Sequence, residues 1–154
     1  MALDLATDPY MPLIGTIPDN ADDTQAADWI QRQLQRHHEG AGYSFAIADS
    51  TDGRGVGAIG LWLTQLRYGR ATAGYSVAPR DRGQGYAADA LTALTDFAWT
   101  LPDLHRVELH VETWNTASIR TAERAGYARE GLMRSHQEIG GHRRDMLLYA
   151  AIRP

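Results

Sequence analysis

The stretch Ser76-Val77-Ala78-Pro79-Arg80-Asp81-Arg82-Gly83-Gln84-Gly85-Tyr86-Ala87 decides how the chain is read. A β-like run feeds a turn carrying a proline and two glycines. The residues after it, Tyr86–Trp99, set Ala87, Leu91, Leu94 and Ala98 at helical spacing and stop before Pro102. The segment is therefore a strand, a glycine turn and a helix. The first N–H groups of a helix lack internal partners and lie at the positive end of its dipole. Such a terminus suits an anion, and glycine lets a diphosphate approach the backbone closely. Arg80 and Arg82 add positive charge nearby. The same letters also describe a strand–helix turn with no ligand, and spacing alone does not separate the two.

Working outward, residues 1–20 carry Pro9, Pro12, Gly15 and Pro18 and read as a short helix or loop followed by irregular structure. Asp22 and Asp23 precede Ala26, Ala27, Trp29, Ile30 and Leu34, an amphipathic helix with an acidic start that ends in His37–Gly42. Tyr43–Ala48, Val56–Leu63 and Arg70–Ala78 read as strands, with turns at Thr51-Asp52-Gly53 and near Tyr68-Gly69. Arg106–Glu112 alternates, with Val107, Leu109 and Val111 on one face. Asn115 can cap a helix running to Ala125, with Gly126 at its C′ position. Tyr127–Gln137 and Arg144–Ile152 form a closing hairpin around Gly140-Gly141. The order predicts an α/β fold: a mixed sheet, antiparallel at its start, with one strand–helix–strand crossover from 70 to 111. No repeat or linker interrupts it, so residues 1–154 are expected to form a single domain.

Composition narrows the function. A net charge of −4 argues against a general nucleic-acid binder. The chain has no cysteine, which removes disulfides, thiolate catalysis and Cys-type zinc sites together. With no apolar run near the ~20 residues of a membrane helix and no basic–apolar leader, the expectation is a cytoplasmic protein without a membrane partner. Gly55-Val56-Gly57-Ala58-Ile59-Gly60 matches the dinucleotide pattern G-x-G-x-x-G, but that pattern needs a helix beginning within the glycines. Leu61-Trp62-Leu63-Thr64 reads as strand instead, and only helix after Gly60 would revive a nucleotide-dependent oxidoreductase. His37, His38, His105, His136 and His142 show no ligand spacing with acidic partners, so no metal site is expected.

Arg80-x-x-Gly83-x-Gly85 followed by an Ala-rich helix resembles the acyl-CoA-binding motif of the GNAT N-acetyltransferase superfamily. Asn115-Thr116-Ala117-Ser118-Ile119, then Ala125-Gly126-Tyr127, then Arg129-Glu130-Gly131 resemble its RimJ/RimL branch, as does Asp145-Met146-Leu147-Leu148-Tyr149 in the last strand. The resemblance runs from about residue 20 to the end. It implies the GNAT acyl-CoA N-acyltransferase fold, with acetyl-CoA or another acyl-CoA as co-substrate. It also implies that the strand ending near Val77 splays from the strand ending near Glu112. The pantetheine arm would then follow the backbone of Tyr75, Ser76 and Val77. The pyrophosphate would meet the amides of Arg82, Gly83, Gln84, Gly85, Tyr86 and Ala87, with Arg80 beside them. Asn115 would contact the cofactor near the thioester, and Ser118 would lie close to the sulfur.

Two departures stand out. The family opens with a strand reading like Leu-Arg-Leu-Arg-Pro, whereas Ala2–Ala6 here resembles the middle of the following helix. The resemblance thus leads us to expect a sheet without the family's usual first strand, with Tyr43–Ala48 as an edge covered by a partner chain, making a homodimer, or by the N-terminal segment. Many relatives also place an acidic residue before the Gly-Tyr of the fourth family strand, where Thr72-Ala73 stand here.

Acyl transfer to an amine needs a neutral nucleophile, a stabilised oxyanion and a departing thiolate. A thiol pKa of about 8.5 lets the thiolate leave with little acid assistance. Ser118 then acts as a hydrogen-bond donor to sulfur or as a formal acid, although its place three residues after the Asn115 cap also suits a plain helix-start serine. Glu108, His110 and Glu112 alternate along one strand face and supply candidate bases: His110 by intrinsic pKa, Glu112 through a water. The same face can equally be solvated or salt-bridged. The catalytic set is taken as Ser118, Asn115 and Glu112. Without cysteine an acyl-cysteine intermediate is excluded, so direct transfer in a ternary complex is expected, the acceptor being a peptide N-terminus or a small amine. A non-catalytic CoA-binding module is the alternative.

Overall fold

The computed structural model describes the whole chain, Met1–Pro154. In chain order the elements are α1 (Ala2–Leu5), α2 (Met11–Ile14), α3 (Asp23–His38), β1 (Gly42–Ala48), β2 (Gly55–Trp62), β3 (Arg70–Val77), α4 (Tyr86–Ala98), β4 (Arg106–Glu112), α5 (Thr116–Arg124), β5 (Ala128–Ile139) and β6 (His142–Ile152). Single 3₁₀ turns stand at Leu66–Tyr68 and Pro79–Asp81. No helix is long and apolar enough to cross a membrane.

Local chemistry sets the helix ends. Asp22 accepts from the Gln25 amide at 2.8 Å while the Gln25 side chain accepts from the Asp22 amide at 3.0 Å, a reciprocal capping box that starts α3. Gly140 and Gly141, both with positive φ, close a two-residue turn between Ile139 and His142. The hairpin strands therefore run closer to the turn than their residue pattern suggests.

The six strands form one sheet in the order β1-β2-β3-β4-β6-β5. Every pairing is antiparallel except β3–β4, which α4 joins as a crossover. That parallel pairing lasts only from Arg70–Thr72 against Arg106–Glu108. Beyond it β3 stays paired to β2 through Val77, and β4 to β6 through Glu112. The two strands are thus held on their far sides while their near sides open. This is the splay expected from the family resemblance.

One face of the sheet carries the main core, where Leu91, Leu94 and Ala98 of α4 meet Val56, Leu61, Val107 and Leu109. The other face carries α3, with Ser44 of β1 bonded to Arg36. A second, smaller core gathers Leu5, Ala6, Met11 and Ile17 of the N-terminal segment around Trp29 and Ala78. This placement corrects one expectation. The N-terminal segment lies against α3 and the start of the glycine loop, and β1 pairs with β2 alone.

Gly55–Gly60 lies wholly within β2, so the dinucleotide reading fails. Its glycines have another cause. Gly60 pairs with Gly74, and the Trp62 ring lies over both, 3.0 and 3.1 Å from where Cβ atoms would stand, under the Arg36 guanidinium at 4.4 Å. Gly74→Ala should push that ring outward and cost about 1–2 kcal/mol of stability in urea denaturation.

Candidate active site

The open end of the splay leads to the N-terminus of α4. Gly83 and Gly85 hold φ of +78° and +92°, and Gly85 caps α4 with no side-chain hydrogen bond. The amides of Gly83, Gln84, Gly85, Tyr86 and Ala87 donate to no protein acceptor, giving five successive free N–H groups. A Cβ on Gly83 would meet nothing within 4 Å, so the loop faces open space there. The loop's foot is fixed by buried Asp81, whose carboxylate takes both Arg54 Nη atoms at 2.9 and 3.1 Å. Its head is fixed by the Tyr86 hydroxyl donating to Asp49. In number and access the array suits a diphosphate.

The gap also holds an orphan. The Tyr75 hydroxyl oxygen is buried, has Ser118 and Thr121 as polar neighbours, and makes no hydrogen bond of ordinary geometry with either. Buried hydroxyls rarely go unpaired. One beside Ser118, on a strand that borders the gap, is what a polar chain threaded between β3 and β4 would satisfy. Asn115 is the α5 cap, accepting from the Ser118 amide at 3.0 Å, and its side-chain nitrogen makes no protein hydrogen bond.

Arg80 and Arg82 are placed differently from what their motif suggests. Arg80 pairs with Asp4 at 2.9 Å and Asp81 at 3.6 Å. Arg82 pairs with Asp8 and donates to the Val77 carbonyl at 3.0 Å. Both guanidiniums are thus held by carboxylates of the N-terminal segment. Arg124 of α5, missed in the sequence, brings a guanidinium nitrogen 3.1 Å from the Cβ position of Gly85 and pairs with Asp89 of α4 at 3.3 Å.

The three candidate bases separate clearly. Glu108 is salt-bridged to Arg106 at 2.5 Å, the Arg106 guanidinium also reaching Glu130. His110 faces His136 with ring centroids 4.8 Å apart. Glu112 is only 6% exposed, at the end of β4 where the splay is widest. One of its oxygens accepts from the Tyr10 hydroxyl, the other from Trp114 Nε1 at 3.0 Å. Burial and then Glu112 push the Tyr10 phenol up to about 12, so it is a donor at neutral pH. Tyr10 gave no signal in the sequence, since 102 positions separate it from Glu112.

Acid should weaken this fold in two stages. Burial, then the neighbouring His136, holds His110 below its ordinary 6.5, with Glu108 opposing. The unfolded chain takes up a proton there that the folded chain refuses, so stability falls as pH drops below about 6.5. Asp49 is held at about 2, first by the Thr51 hydroxyl, then by Tyr86. Arg54 holds Asp81 below the usual carboxylate range. Stability from these two carboxylates is complete above about pH 4 and is lost as pH falls through their lowered values. His110→Gln should abolish the first stage and keep the second, as read by urea titrations between pH 7.5 and 3.

Known proteins share this fold. The family described as acetyltransferase (GNAT) domain matches residues 1–128. The N-acetyltransferase p20 of Bacillus licheniformis, itself uncharacterized, is 29% identical over 147 residues, covering 96% of this chain and 83% of its own. RimJ of Mycobacterium smegmatis, solved with a CoA disulfide, superposes with a TM-score of 0.74 at 30% identity over 84% of this chain and 61% of its own. RimL, a ribosomal L7/L12 alpha-N-protein acetyltransferase solved with coenzyme A, superposes with a TM-score of 0.81 over 97% of this chain and 84% of its own, its 21% identity marking likeness of fold. With the splayed strands, the free amide array and the family match over most of its length, the chain belongs to the GNAT acetyltransferase family and is an acyl-CoA-dependent N-acetyltransferase.

Proposed function

We propose that this chain transfers an acetyl or other acyl group directly, within a ternary complex, to the α-amine of a peptide or to a small amine, as a cytoplasmic homodimer. The observation that carries the reading is the splay of β3 from β4, ending on five free amides. Gly83–Ala87 hold the diphosphate, with Arg124, itself paired with Asp89, at the edge of the loop. The backbone of Tyr75, Ser76 and Val77 borders the pantetheine arm. The co-substrate supplies a reactive thioester. Ser118 donates a hydrogen bond toward the sulfur, Asn115 orients the same end, and Glu112 takes the proton of the incoming amine.

Arg80 and Arg82 contribute to the cofactor site through the loop's position, since Asp4 and Asp8 already hold their charges. The dimer is supported by β1, whose outer edge has no strand and whose Phe45 is 41% exposed. Sedimentation showing only a monomer would count against it.

At pH 7 roughly one α-amine in ten is neutral, against about one lysine side chain in 2,500. A peptide N-terminal amine should therefore be acylated faster than a lysine amine. Thiol release from acetyl-CoA across a panel of amines tests the reading. No release with any acceptor, despite CoA binding, would favour a module that holds CoA without turnover. Faster lysine acylation would remove the α-amine preference.

A further inference from the structure

Glu112 is a buried carboxylate with one donor on each oxygen, and those donors come from widely separated parts of the chain. Trp114 follows it by two residues and reaches Oε1 at 3.0 Å. Tyr10 arrives from the N-terminal segment and donates to Oε2. The two rings meet edge to face, with centroids 5.5 Å apart. Tyr10 is itself fixed: its amide donates to Asp8 at 2.9 Å, and Asp8 is paired with Arg82 of the cofactor loop. From the other side Leu13 of α2 packs on the hairpin turn, 3.5 Å from the Cβ position of Gly140.

We infer that Tyr10 and Trp114 are positioning residues for the transfer reaction, clamping the Glu112 carboxylate in one orientation at the mouth of the β3–β4 gap. The inference rests on the reading of Glu112 as the group that receives the amine proton. A carboxylate on a flexible stem reaches a proton productively from few rotamers. A donor on each oxygen fixes the carboxylate plane and leaves a lone pair on each oxygen for the acceptor. The clamp also explains why the N-terminal segment is tied at Asp4, Asp8 and Leu13: it delivers one hydroxyl across the site.

Tyr10→Phe keeps the ring against Trp114 and removes only the hydroxyl. It should lower kcat about 10- to 100-fold while the KM for acetyl-CoA and the melting temperature stay near those of the unaltered chain. In a Glu112→Gln background the same change should have no further effect. Trp114→Phe serves as the second variant, with a parallel loss of kcat expected. Full-speed turnover by Tyr10→Phe and Trp114→Phe beside a slow Glu112→Gln overturns the inference alone. So does a Tyr10→Phe loss that appears wholly in acetyl-CoA binding, or one that adds in full to Glu112→Gln. A fully active Glu112→Gln overturns the reading of Glu112, and the clamp with it.

Discussion

Replacing Gly85 with valine should weaken CoA binding about 100-fold while leaving the chain folded. Gly85 stands at φ +92°, where a β-branched residue is strained by about 1–3 kcal/mol. The steric obstacle itself is slight, because the nearest atom to a new Cβ is the end of the Arg124 side chain at 3.1 Å, which can swing away. The damage lies in the backbone. If the loop relaxes to negative φ, the amides on either side of residue 85 turn away from their present directions. A hydrogen bond to a charged group contributes about 1.5–3 kcal/mol, so misdirecting one or two of the five accounts for two decades in Kd. Gly131→Ala is the matched control, since a Cβ there meets nothing and φ is not positive. Calorimetry with CoA reads both. A Gly85→Val chain binding CoA within threefold of the parent would remove the amide array from the cofactor site.

That loop was legible because its signals are local. The strand, the glycines and the helix follow one another within twelve residues, and the ends of α3 and α5 are marked by Asp22 with Gln25 and by Asn115. The crossover followed from element order. Contacts that pair residues far apart in sequence were not legible. Arg80 and Arg82 read as free positive charge because nothing in their motif announces Asp4 and Asp8, more than seventy positions earlier. The alternating face of β4 showed three candidate bases and no way to choose. Only the fold shows Arg106 taking Glu108, His136 crowding His110, and Tyr10 with Trp114 enclosing Glu112. The glycines of β2 misled in the opposite sense: they imitate a nucleotide motif, yet two of the closest approaches they permit are to Trp62 and to the Ser76 carbonyl.

Glu112→Gln should lower kcat about 100-fold or more, the range a positioned proton acceptor contributes. Its affinity for CoA should stay unchanged, since Glu112 is bonded to Tyr10 and Trp114 and makes no hydrogen bond to the loop that carries the free amides. The amide cannot take up the amine proton. It also presents an N–H₂ toward either Tyr10 or Trp114, both of which are donors, so one hydrogen bond of the pair is lost at a residue only 6% exposed. The loss should depend on the acceptor. A weakly basic amine arrives largely neutral and needs little help, whereas a lysine amine arrives almost wholly protonated. The ratio of parent to variant kcat should therefore grow along a series of amines of rising pKa. A ratio that stays flat along the series would mean that Glu112 acts on the acceptor's position and not on its proton. A variant within threefold of the parent for every amine would pass the role to His110, the remaining titratable group on that face free of an arginine partner.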